Sequence, residues 1–222
     1  KEMVFAYAAM LRDLIGQEQA GRFVAISLDT CPEWYTVFWG VIAAGYNAVL
    51  VDFSLSDEMT AYILRQANAV AIIEKKPRDL STDILQITLK ELCMSSPTAR
   101  FTPSFASMVA LCTSGTTETS RVFVYDQAAV CEQVLNSVLL YRANKRLICD
   151  EHLRSLAFLP FHHVFGFMVC LLWIHFIGYE NVYLKDRSPK TIQMTAQRLH
   201  VNHLMAVPIL AMEKLLASLG RL

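Results

Sequence analysis

Residues 23–51, FVAISLDTCPEWYTVFWGVIAAGYNAVLV, decide the fold. Phe23 to Leu28 reads as a strand. The run Asp29-Thr30-Cys31-Pro32-Glu33 then offers cap candidates, a proline suited to a first helical turn and an acid near the positive end of the helix dipole. Trp34, Val37, Phe38 and Val41 carry a helix to Gly45, and Asn47 to Val51 is the next strand. Strand, helix, strand is the unit from which parallel sheets with helical crossovers are built.

Working outward, Ser56-Asp57-Glu58 opens a second helix through Leu64, and Ala69 to Ile73 is a third strand, which completes a doubly wound half. Upstream, Lys1 to Gly16 sets Arg12 and Asp13 in a helical pattern and lacks the uninterrupted apolar core of a signal peptide. From Lys75 to Pro103 the periodicity is broken by Pro77, Ser81, Ser95, Ser96, Pro97 and Pro103. This stretch reads as a surface connection with short elements and as a boundary between subdomains 1–103 and 104–222. The alternation resumes with strands at Met108–Cys112 and Val122–Tyr125, a helix from Asp126 to Asn144 and a strand at Ser155–Phe158. An apolar helix follows His163, then a strand at Val182–Leu184, a helix capped by Ser188-Pro189, a strand at His203–Ala206 and a last helix from Pro208. The expected class is α/β, mainly parallel, with two subdomains.

Lys plus Arg and Asp plus Glu each number 20 in 222 residues, so no basic excess is available to hold a polyanion, and nucleic acid is not an expected partner. Apolar residues make up 54% and charged residues 18%, against roughly 45–50% and a quarter in average domains. One compact body of this size would leave apolar surface uncovered, as in a piece of a larger protein or a subunit of an oligomer. The six cysteines form no C-x-x-C pair and read as buried reduced thiols, with a cytoplasmic location expected. Leu156 to Gly178 is rich in Phe, Leu, Val and Trp, but Pro160 and three histidines interrupt it, so a buried helix is expected in place of a membrane span.

The segment richest in chemistry is Thr113-Ser114-Gly115-Thr116-Thr117-Glu118-Thr119-Ser120-Arg121, between two expected strands. Short hydroxyl donors reach phosphate oxygens, glycine permits close backbone approach, and the terminal cation balances charge. The run resembles the phosphate-binding loop of the adenylate-forming superfamily, T-S-G-T-T-G-x-P-K-G, which includes acyl-CoA synthetases, luciferases and peptide-synthetase adenylation domains. Thr113, Ser114, Gly115, Thr116 and Thr117 match in order. Glu118 stands at a glycine position, Ser120 at the proline, Arg121 at the lysine and Val122 at the second glycine. Arg121 keeps the charge and offers a bidentate fork. Glu118 sets an anion beside a polyanion site and removes a permissive backbone.

Further segments extend the resemblance over nearly the whole chain. Leu159-Pro160-Phe161-His162-His163-Val164-Phe165-Gly166 is similar to the family's P-L-x-H-x-x-G, with His163 at the histidine and Gly166 at the glycine. Val41 to Val49 is similar to its helix-to-strand junction, and Met205-Ala206-Val207-Pro208 to its "vT-x-x-x-x-V-P" strand. The resemblance implies the N-terminal portion of an acyl-CoA synthetase, most like a long-chain fatty acid–CoA ligase. It implies Thr113, Ser114, Gly115, Thr116, Thr117 and Arg121 on the β and γ phosphates of ATP, and His163 and Gly166 at the acyl pocket. ATP, Mg²⁺ and CoA, or a carrier's pantetheine, are implied for the full-length enzyme, with an apolar carboxylic acid as substrate. The family's Y-G-x-T-E segment, ribose-binding aspartate and catalytic lysine do not occur in these 222 residues, so the isolated chain is expected to be inactive. The alternative is a non-catalytic binding or scaffolding module in which Glu118 marks lost nucleotide binding. No metal site is expected from His200 and His203, which lack a carboxylate or cysteine at ligand spacing. Trp34, Phe38 and Trp39 read as core, and no nucleophile-elbow motif occurs.

Overall fold

The computed structural model of the chain describes residues 1–96, 101–113, 121–144, 152–184 and 186–205. They fall into two compact units, Lys1–Ala129 and Val130–Leu222.

The first unit contains α1 (Glu2–Ile15), a 3₁₀ turn (Gln17–Gln19), β1 (Phe23–Ser27), α2 (Glu33–Ala44), β2 (Asn47–Leu50), α3 (Asp57–Gln66) and β3 (Ala69–Glu74). Next come β4 (Leu85–Thr88), α4 (Leu89–Cys93), β5 (Met108–Thr113) and β6 (Arg121–Asp126). The sheet runs β4-β3-β1-β2-β5-β6. All neighbours are parallel except β5 and β6, which form an antiparallel hairpin. The chain steps from β1 to β2, then back past β1 to β3. Right-handed crossovers in opposite directions put their helices on opposite faces.

Register and burial show both faces filled. Ala25, Val49, Ile72 and Ala110 align across four strands and pack with Ile63, Leu64 and Ala67 of α3. The intervening Val24, Ile26, Ala48, Leu50 and Ile73 point the other way and are fully buried as well. A sheet covered on both sides needs apolar residues at successive positions, which is why these strands read as continuous apolar runs. On the second face α2 packs against α1, where Gly40 leaves room: a Cβ there would sit 2.9 Å from the Cβ of Tyr7. The helix ends at Gly45 in the left-handed region (φ 96°), its N–H bonded to the Ile42 carbonyl. Ser56 caps α3 as its sequence suggested, its hydroxyl accepting from the Met59 N–H at 3.3 Å.

The stretch after Lys75 does more than connect. It supplies the outer strand β4 and a capping box in which Thr88 and Glu91 satisfy each other's backbone N–H groups. The expected division at 103/104 falls between strands of one sheet, because β5 pairs with β2.

In the second unit α5 (Gln127–Ala143), which begins at the end of the first unit, leads to β7 (Arg154–Ala157). A π-helical stretch (Gly166–Trp173), α6 (Ile174–Phe176), β8 (Glu180–Tyr183), α7 (Pro189–Arg198) and β9 (His203–Leu204) follow. The order is β8-β7-β9, all parallel. Arg154 ties the sheet to its surroundings, with Nε donating to Glu180 at 2.7 Å and Nη1 to the Leu199 carbonyl at 3.1 Å. Ser188 caps α7 with Pro189 in its first turn. Among the described residues no helix is long and apolar enough to cross a membrane. Exposed apolar side chains remain, including Phe123 and Val124 on β6 and Leu139 and Leu140 on α5, in keeping with the apolar surplus of the composition. The helix expected from Pro208, Ala206 and Cys149 lie outside the described residues.

Candidate functional site

The hairpin β5–β6 is where the sequence placed phosphate chemistry. Its last register pair is Thr113 with Arg121, and residues 114–120 join the two strands in sequence. β5 runs parallel to β2, so the Thr113–Arg121 pair lies at the carboxyl end of the parallel strands. Open α/β sheets take ligands outside that end. The base of the hairpin is anchored: Cys112 and Val122 pack against the core under α3. Arg121 is exposed. Ser114, Gly115, Thr116, Thr117, Glu118 and Ser120 lie outside the described residues, as does the side chain of Thr113.

The second predicted segment starts the π-helical stretch. His162 is buried and His163 exposed, their rings 4.3 Å apart between centroids and inclined at 62°. The His163 carbonyl accepts from the Phe167 N–H at 2.8 Å, which fixes the first turn. Gly166 has a packing reason of its own, since a Cβ at this position would collide with the carbonyl oxygen of Pro160. Phe167, Cys170, Leu171 and Ile174 are buried.

The opposite side of this stretch lines a cavity of about 440 Å³. Leu140 and Tyr141 of α5, Val169, Trp173 and Met205 supply its walls. Tyr141 meets Trp173 edge-on with centroids 5.8 Å apart, and its hydroxyl is 2.6 Å from that of Tyr179. Trp173 is 5% exposed, and its buried indole N–H has no acceptor among the described residues. Sequence reading missed this cavity: its walls are drawn from residues 137 to 205, and only the apolar stretch hinted at it.

Burial holds three cysteines as thiols: it raises Cys31 to about 12, with a contribution from Glu33, Cys112 to about 11 and Cys170 to about 12. The expectation of uniformly buried thiols is corrected at Cys93 and Cys131, which are exposed. Burial lowers the pKa values of His175 and His203. The His175 ring also meets the Leu171 carbonyl at 2.6 Å.

A profile of the family described as AMP-binding enzyme matches residues 1–221. The chain belongs to the AMP-binding enzyme family. Solved structures share the fold of the N-terminal part of its adenylate-forming members. One is o-succinylbenzoate CoA synthetase (MenE) from Bacillus subtilis with the acyl-adenylate intermediate OSB-AMP, at 19% identity and TM-score 0.78, covering 99% of this chain and 56% of that one. The same protein with ATP and magnesium ion gives 18% and 0.76, covering 99% and 57%. The nonribosomal peptide synthetase FmoA3 with AMPPNP gives 18% and 0.74, covering 99% and 23%. The chain thus spans little more than half the length of the synthetase. No curated protein gives a significant sequence match.

Proposed function

We propose that this chain is the N-terminal part of an ATP-dependent carboxylic acid–CoA ligase, with an apolar acid as substrate. The observation that carries this reading is the register of the hairpin. Pairing Thr113 with Arg121 gives a hydroxyl-rich tip an anchored base at the ligand-binding end of a parallel sheet. The tip's hydroxyls and backbone N–H groups would hold the β and γ phosphates, and Arg121 would supply positive charge where negative charge builds on the leaving pyrophosphate. Mg²⁺ would arrive on the phosphates and spread that charge, needing few protein ligands. His163 and Gly166 would border the acid, whose body would occupy the apolar cavity beside Trp173.

The reaction has two steps. A carboxylate oxygen bonds to the α-phosphorus as the bond to pyrophosphate breaks, giving an acyl-adenylate. The sulfur of CoA, or of a carrier's pantetheine, then bonds to the acyl carbon as the bond to AMP breaks, and the thiol proton passes to solvent. Residues beyond this chain would complete the adenine site and the second step, so the chain alone would not turn over. Exposed apolar residues on β6 and α5 would be covered by the remainder of the enzyme or by a second copy.

ATP–pyrophosphate exchange by the full-length product with a panel of carboxylic acids tests the proposal. Acid-dependent exchange is expected. Absence of both ATP binding and exchange in folded protein would favour the second reading, a binding module, for which Glu118 at a glycine position is the specific observation.

A further inference from the structure

A second cavity, of about 520 Å³, opens in the first unit at the amino-terminal ends of β3 and β4. This is the end of the sheet opposite to the β5–β6 tip, because β1 to β5 all run parallel. Leu64 from α3, Val70 from β3 and Ile84 ahead of β4 form apolar walls. Arg65, Asn68 and Asp83 add polar groups.

The charges are uncommitted. Arg65 and Asp83 line one cavity, and neither forms an ion pair with the other described residues. Among the described residues neither the guanidinium nor the carboxylate has a hydrogen-bond partner. The turn between them is held in place. Asn68 takes a left-handed conformation (φ 50°), and Arg22 grips its side-chain oxygen at 2.7 Å and its carbonyl at 3.3 Å. A cavity of this size, which sets charged groups beside apolar side chains, has room for a small molecule.

We propose that this cavity binds a small zwitterion with an apolar body, its carboxylate on Arg65, its ammonium on Asp83 and its body between Leu64, Val70 and Ile84. A guanidinium suits a carboxylate through paired N–H donors, and a carboxylate holds an ammonium through charge-assisted hydrogen bonds. The site is separate from the hairpin tip and from the cavity at Trp173, so it stands whether or not the ligase reading does.

Calorimetric titration with leucyl-leucine, its N-acetyl form and its C-terminal amide tests the assignment. The free dipeptide is expected to bind, and each blocked form to bind about tenfold or more weakly, as loss of one charge-assisted contact implies. Arg65→Ala should abolish the preference over the amide alone, and Asp83→Asn the preference over the acetylated form alone. Both side chains are exposed, so the variants are expected to keep the parent melting profile. No heat from any form at about 10 mM, equal affinity for the three forms, or preferences that survive both substitutions would each overturn the proposal.

Discussion

The strands β1–β3 and β7–β9 follow the same path: the first strand lies central, the second to one side, and the third returns to the other. Their first crossovers differ. Between β1 and β2, α2 is a regular helix finished by a left-handed glycine and pressed against α1 through Gly40. The indole N–H of Trp34 donates to the Leu28 carbonyl at 3.3 Å. Between β7 and β8 the chain is π-helical for eight residues, starts against Pro160 and walls an apolar cavity. Among the described residues Trp39 on α2 has no acceptor either, so an unpaired indole is not by itself the distinction. The distinction is the cavity together with the widened helix, a geometry that recurs at functional sites. Equal topology therefore leaves one crossover structural and the other available to a ligand.

The largest effect should come from Arg121, which stands exposed at the start of β6 beside the hydroxyl-rich run. Arg121→Ala in the full-length product is expected to weaken ATP binding by about 10- to 100-fold, the cost of losing a hydrogen bond to a charged group. Arg121 is exposed, so thermal stability should stay within about 0.5 kcal/mol. Calorimetry and a melting curve separate the two quantities. Unchanged ATP affinity would remove Arg121 from the phosphate site.

Two glycine substitutions probe the crossovers themselves. Gly166→Ala and Gly40→Ala each force a Cβ into occupied space, against the Pro160 carbonyl and the Tyr7 side chain respectively. Each is expected to destabilise its own unit by about 1–3 kcal/mol, the usual cost of overpacking. Amide hydrogen exchange should show lost protection in β7 and β8 for Gly166→Ala, and in α1 and α2 for Gly40→Ala. A Gly166→Ala protein with normal protection that loses only exchange activity would make this glycine a substrate contact and not a packing one.

These positions also mark how far the sequence could be read. The strands β1–β3 and the Ser56 and Ser188 caps were legible because each depends on neighbours within a few residues. The strand β4 was blurred because four residues, flanked by breakers, carry too short a pattern. The π-helical turn was hidden because a run apolar on every side has no periodicity to measure. The loop and His163 could be named from their residue types and order, but not the Trp173 cavity, whose walls come from distant parts of the chain.

Acid should separate the units by a smaller margin. All six histidines fall between 152 and 203, in the second unit. Burial depresses the pKa values of His175 and His203, so near neutrality both are neutral in either state. As pH falls below the unfolded value of roughly 6.5, the unfolded chain takes up protons that the folded one refuses. Stability contributed by these rings is therefore full above that pH and declines as the pH drops through the depressed folded values. Hydrogen exchange at pH 7 and 5.5 should show protection falling in β8 and β9 more than in β1–β3, and His203→Gln should reduce the difference. Equal losses in both units would assign the acid sensitivity elsewhere.

The finest test concerns Trp173. Trp173→Phe removes an indole N–H that has no acceptor, which favours the folded state, and leaves a void beside Tyr141, which opposes it. The two terms nearly cancel, and stability should change by less than about 1 kcal/mol. Selectivity should respond where stability does not. A site with a buried donor discriminates against a ligand that leaves it unpaired. In exchange assays on the full-length product, two acids of equal length, one with an ether oxygen in its chain and one fully saturated, should differ in the parent protein. The ratio should move toward unity in Trp173→Phe. A parent that treats the two acids alike would mean that the indole faces no substrate, and the second crossover would then differ from the first in packing alone.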